Sequence, residues 1–167
     1  MKRFLIVFLC LMMVGCGQKK QVFLEKDGDL YEIGDQVSFY YPKEFEIDTS
    51  VENKNIVRFL DDDETMWYST VKDDTDNKVT DMPDLYQGQL KMEGASQITY
   101  NKVTLESGLD CYNFSGFYSG SGIKFNHIVY FTHEATYCYA YEAAAQVYDE
   151  NVMNRSEYLL SLTVHHD

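Results

Sequence analysis

The apolar and polar residues from position 97 onward fall into extended runs at about 97–105, 109–119, 122–132 and 136–145. Turns at Glu106-Ser107-Gly108, Ser119-Gly120-Ser121-Gly122 and His133-Glu134 separate them. Period two puts Tyr137, Tyr139 and Tyr141 on one sheet face. It likewise groups Tyr112, Phe114 and Tyr118 on their strand, and Phe125, Val129 and Phe131 on theirs. Upstream, residues 56–60 and 65–71 predict a hairpin across Asp61-Asp62-Asp63-Glu64, four like charges that suit a turn and not a core. Residues 37–41 predict a strand stopped by Pro42, with Phe45 and Ile47 continuing in extended form. Asp27-Gly28 marks a type I′ turn, so residues 21–33 predict a short N-terminal β-hairpin.

Two segments change to helical spacing. Asp81 is placed to cap the first, Pro83 fits its first turn, Asp84 its positive end, and Gly94 the position just past its last turn. Met82, Leu85, Tyr86, Leu90 and Met92 then project on one face. The second spans about 149–162, with Asp149 and Glu150 at its positive end and Val152, Leu159 and Leu160 on helical spacing. Antiparallel strands with one helix mid-chain and one at the end predict an α+β fold, a sheet flanked by two helices in an α/β/α sandwich.

The first residues follow a different pattern. Lys2 and Arg3 precede twelve uncharged residues, Phe4 to Gly15, and then Cys16. A membrane-spanning helix needs about 20 apolar residues, whereas 10–14 reads as the core of an export signal. Met13-Val14-Gly15-Cys16 resembles the lipobox of bacterial lipoproteins, with Met13 where that family usually carries Leu. The resemblance implies cleavage before Cys16 by signal peptidase II and diacylation of its thiol. Residues 1–15 are therefore expected to be the signal, 16–21 a tether, and 22–167 a single α+β domain. The expected location is the extracytoplasmic side of the cell membrane, anchored through lipidated Cys16, because two or more acyl chains hold stably where one does not.

Charge narrows the choice of partners. Loss of Lys2 and Arg3 leaves 12 basic residues against 27 acidic ones, a balance of −15. Such acidity argues against nucleic acid and holds the domain off anionic lipid. The 152 residues left suffice for one domain burying roughly 70% of its unfolded surface, and 15% aromatics mark it as ordered.

Several segments together resemble the Mog1/PsbP-like fold. They are Phe39-Tyr40-Tyr41-Pro42 with Phe45, the mid-chain helix, Gly108-Leu109-Asp110-Cys111-Tyr112, Tyr137-Cys138-Tyr139-Ala140-Tyr141, and the closing Tyr158-Leu159-Leu160-Ser161-Leu162. The likeness spans about residues 35–164 and rests on element order. It implies an antiparallel sheet between helices and a tendency toward protein binding, and it carries over no active-site residue.

Candidate chemistry is sparse. With Cys10 in the signal and Cys16 acylated, Cys111 and Cys138 remain. Pairing Ser119 with Gly122 sets Cys111 opposite Tyr130, and pairing Thr132 with Ala135 sets Cys138 opposite Val129. The two cysteines then flank one strand at about 9.6 Å, beyond the roughly 7 Å a disulfide spans, so both are expected to be free. Cys138 with His127 or His133 would be the pair for a Cys–His hydrolase, but nothing nearby lowers the thiol pKa. Asp73, Asp74 and Asp76, and the 61–64 run, offer oxygen ligands for a hard cation without the spacing of a calcium loop; solvated turns are the stronger reading. His165-His166-Asp167 lies at a frayed end. No cofactor motif occurs. The expectation is a non-enzymatic lipoprotein that binds a protein or envelope partner. A small-ligand or Ca2+ module is the alternative, and a Cys–His hydrolase the third reading.

Overall fold

The computed structural model describes residues 28–33, 37–51, 55–72, 76–148 and 156–164. Its strands are β1 (Gly28–Ile33), β2 (Val37–Pro42), β3 (Glu46–Ile47), β4 (Ile56–Asp61), β5 (Glu64–Lys72), β6 (Ala95–Thr104), β7 (Asp110–Tyr118), β8 (Ile123–Phe131), β9 (Ala135–Ala144) and β10 (Thr163–Val164). One α-helix, α1 (Met82–Met92), precedes β6. The signal, Cys16, the tether, residues 21–27 of the expected hairpin, Asp73, Asp74, residues 149–155 of the expected second helix and the His165-His166-Asp167 terminus lie outside the described residues.

Seven strands form an antiparallel sheet in the order β3-β4-β5-β9-β8-β7-β6. Tight turns fix much of its register. Thr132 Oγ1 accepts the amides of Glu134 and Ala135 and thereby closes the β8–β9 turn. Cys138 then pairs with Val129, and Tyr112 meets Val129 from the other side, the register that the turn lengths imply. The pairing of β5 with β9, Tyr68 opposite Tyr139, joins distant segments.

Each sheet face has its own cover. On one face α1 lies over Phe114, Phe125, Val129, Phe131, Cys138 and Ala140. Met82, Tyr86 and Leu90, an i, i+4, i+8 row, make its contact. Leu85 (49% exposed) and Met92 (85%) flank that row and face solvent, so only part of the expected apolar face docks. Asp81 makes no side-chain cap bond. It ends a 3-10 turn, Val79–Asp81, and its carboxylate accepts from Thr80 instead. Gly94 leaves the helix at φ +91, a conformation in which a Cβ would be strained.

The opposite face corrects the predicted α/β/α sandwich. Its cover is a second, three-stranded sheet, β1-β2-β10, together with a 3-10 turn over Ser156–Ser161. Leu159 and Leu162 are three apart and both fully buried, the spacing that a 3-10 turn aligns on one side. The chain then extends, and Val164 pairs with Val37. Only the second half of the expected N-terminal hairpin falls among the described residues. Gly28, expected in a turn, is the first residue of β1, which pairs with β2. The described residues are thus mostly antiparallel sheet with one α-helix. Aromatic contacts fill the space between the sheets: Phe39 lies 4.6 Å from the Tyr139 ring and Tyr41 stacks on Phe59 at 4.4 Å. Each such pair adds about 0.5–1.5 kcal/mol to the area it buries.

Candidate functional site

The β8–β9 register brings three chemistry-bearing residues together under α1. His127 lies opposite Ala140, so Cys138 and Glu142 are its diagonal neighbours on the same face. The helix adds Tyr86 from above. Its hydroxyl lies 3.0 Å from His127 Nδ1 and 3.4 Å from Cys138 Sγ, and His127 Nε2 lies 3.3 Å from Glu142 Oε1. One proton arrangement satisfies the whole chain: thiol to Tyr86 oxygen, Tyr86 hydroxyl to Nδ1, and Nε2–H to the carboxylate. Trp67 approaches the imidazole edge-on and Phe125 packs at 4.7 Å.

The imidazole and the thiol of this polar cluster are buried, while Tyr86 and Glu142 are half-buried. His127 is 1% exposed and Cys138 3%. Burial pushes the Cys138 thiol up to about 12, against a smaller lowering effect from the Tyr86 hydroxyl. Burial likewise raises the Tyr86 phenol well above its usual value. A nucleophilic cysteine needs a depressed pKa and access; Cys138 has neither. The hydroxyl of Tyr86, not the imidazole, is the group bonded to its sulfur. His133 occupies the exposed β8–β9 turn. Cys111 projects from β7 into the opposite core, where burial pushes it up to about 12 as well. Both thiols are free, and they face opposite sides of the sheet on either side of β8.

Acidic residues gather around the β4–β5 turn. Asp61, Asp62, Asp63 and Glu64 line an open hollow of about 540 Å3 with Glu44 and Glu46. Asp76 is exposed. Among the described residues, no three His, Cys, Asp or Glu side chains converge as a metal site.

A second groove, about 440 Å3, opens on the face of β6–β8 opposite α1. Its origin is a bulge. Between Ser96↔Phe117 and Thr99↔Ser115 the β6–β7 register shifts, and Gln97 takes a left-handed φ of 52°. Gln97, Ser115, Phe117, Lys124 and Tyr148 line the groove. Lys124 Nζ sits 5.1 Å from the Tyr148 ring centroid. Beside them on the same face are Asn113 and Asn126, whose side-chain oxygens are buried without a partner. An unsatisfied buried acceptor costs about 1–3 kcal/mol. Sequence reading missed this groove. A bulge leaves no mark in an apolar pattern, and Asn in a strand gives no signal of its own. Tyr86 was legible as a buried helix residue, but its hydroxyl's partners come from strands 41 and 52 residues away.

No family model matches the chain, and no curated protein matches it. Among solved structures, that of cyanobacterial PsbP (CyanoP) from Synechocystis sp. PCC 6803 superposes with a TM-score of 0.60 at 17% identity, covering 83% of this chain and 94% of that one. A crystal structure of a protein from Bacteroides thetaiotaomicron VPI-5482 gives a TM-score of 0.47 at 12% identity, over 84% of this chain and 50% of that one. The second likeness is too slight to carry an argument. The first, with the order of elements described above, makes the fold of this chain PsbP-like.

Proposed function

We infer that this protein is an extracytoplasmic lipoprotein, held to the cell membrane by acyl chains on Cys16, whose PsbP-like domain acts by binding a protein or envelope partner and not by catalysis. The observation that carries the reading is the N-terminal order: two basic residues, twelve uncharged ones, Gly15 and then Cys16. Two or three acyl chains are enough for stable anchoring. Net charge supports a domain held away from anionic headgroups, since the 27 acidic residues outnumber the 12 basic ones left after residues 1–15 by more than two to one. Among the described residues no helix is long and apolar enough to cross a membrane. Binding is favoured over hydrolysis by the state of the Cys–His pair, with its thiol pushed up to about 12 beneath α1.

The test is fractionation of Cys16→Ser. That variant should leave the membrane fraction and collect in the soluble extracytoplasmic fraction, with its fold unchanged by circular dichroism. Retention on the membrane after the change would reject the lipid anchor.

A further inference from the structure

We propose that the groove beside the β6 bulge is a binding site for a saccharide bearing a carboxylate, such as a uronic-acid oligosaccharide. The proposal deepens the reading of the domain as a binding module by giving one site and one ligand class.

Four observations converge there. The first is backbone strain. Gln97 is the only residue other than glycine with a left-handed φ among the described residues, and such outliers gather where a side chain must be aimed. At this bulge Gln97 lines the groove.

The second is aromatic surface. Phe117 and Tyr148 are both half-buried and line the groove. A pyranose ring has an apolar C–H face that packs on such rings, while its hydroxyls spread around the rim. Binding sites of this kind combine apolar walls with a few placed polar groups.

The third is unspent hydrogen-bonding capacity. Ser115 Oγ bonds only Thr99 Oγ1, at 3.1 Å, among the described residues. Asn126 pairs across the strands with Ser115, and Asn113 is two residues from it on the same face. Neither Asn oxygen has a partner among the described residues. Ser115 and Gln97 line the groove and meet a sugar hydroxyl directly, and the two Asn side chains lie beside them with hydrogen-bonding capacity to spare.

The fourth is charge. Among the described residues no carboxylate pairs with Lys124; its ammonium rests over Tyr148 instead. In a chain with 27 acidic residues against 14 basic, an uncommitted cation in a concave site selects for an anionic ligand. A single lysine suits one carboxylate. A polyphosphate would call for the glycine-rich loop or helix N-terminus that this groove does not border.

The test uses the lipidated full-length protein in detergent, titrated with trigalacturonic acid as probe, maltotriose as its neutral counterpart, and acetate as charge alone. Calorimetry should report a dissociation constant in the millimolar range or tighter for trigalacturonic acid, weakening with added salt, and about tenfold weaker binding of the other two. Lys124→Met and Tyr148→Ala should each weaken binding of the acid about tenfold. Tyr148→Phe, which keeps the ring, should bind like the parent and guards against misreading a folding defect. No heat with trigalacturonic acid up to about 10 mM would overturn the proposal. Equal binding of maltotriose, or binding indifferent to both Lys124→Met and Tyr148→Ala, would also overturn it. Membrane retention through Cys16 is scored separately, so failure at the groove leaves the anchor standing and the reverse also holds.

Discussion

Tyr86 bonds two buried partners at once, and its substitution tests whether the cluster under α1 is structural. Tyr86→Phe keeps the ring against Phe114 but leaves His127 Nδ1 and Cys138 Sγ without their common partner. Chemical denaturation should show a loss of about 1–3 kcal/mol; a neutral result would mean that the hydroxyl is not satisfying those atoms. The thiols give a second residue-scale prediction. Cys111 and Cys138 are both raised to about 12 by burial, so the folded protein holds these protons where an unfolded chain would release them. Their contribution to stability is complete below the ordinary thiol value near 9 and is lost as pH rises from there toward 12. At pH 8, iodoacetamide should therefore label neither residue in the native protein and both in denaturant, as read by peptide mass spectrometry. Native labelling of Cys138 would reopen the hydrolase reading. His127 and Cys138 were legible in the sequence as a possible pair, and their diagonal placement follows from the β8–β9 turn. Their burial was not legible, because it depends on where α1 docks.

The elements differ in how far the sequence announced them. β7, β8 and β9 were readable, since period-two aromatics and short Gly- or Thr-closed turns set both their extent and their register. α1 was readable from Pro83 and Gly94, yet its docking row is narrower than its apolar face. Over residues 156–162 the expected α-helix is a 3-10 turn, because Leu159 and Leu162 satisfy either geometry and pairing of the following strand with β2 decides between them. That pairing is long-range, as is β5 with β9, and no local pattern encodes either. The 3-10 turn nonetheless does a helix's work in covering the sheet. Leu159→Ala should cost about 2–5 kcal/mol by the cavity it opens beneath a fully buried side chain. A cost within experimental error would show that this turn is not part of the core. Gly116 tests close packing between β7 and β8. A Cβ there would meet the Phe125 ring at 2.5 Å and the Ser96 carbonyl at 3.1 Å. Gly116→Ala should destabilise by about 1–3 kcal/mol through overpacking.

At the scale of the whole molecule, an acidic domain with both its thiols buried follows a short segment whose order of basic, apolar, small and Cys residues is the basis of the proposed export and lipidation. The fold contributes a platform with a groove on it; in the function proposed above, the N-terminus contributes the address. The proposed address rests on a contiguous run of sixteen residues, whereas the groove depends on segments brought together from 97 to 148. The most direct measurement is mass spectrometry of the N-terminal peptide from protein purified out of membranes. A peptide beginning at Cys16 and carrying a diacylglyceryl group on its sulfur is the predicted result. An unmodified Cys16, or a mature terminus at any other residue, would contradict the account.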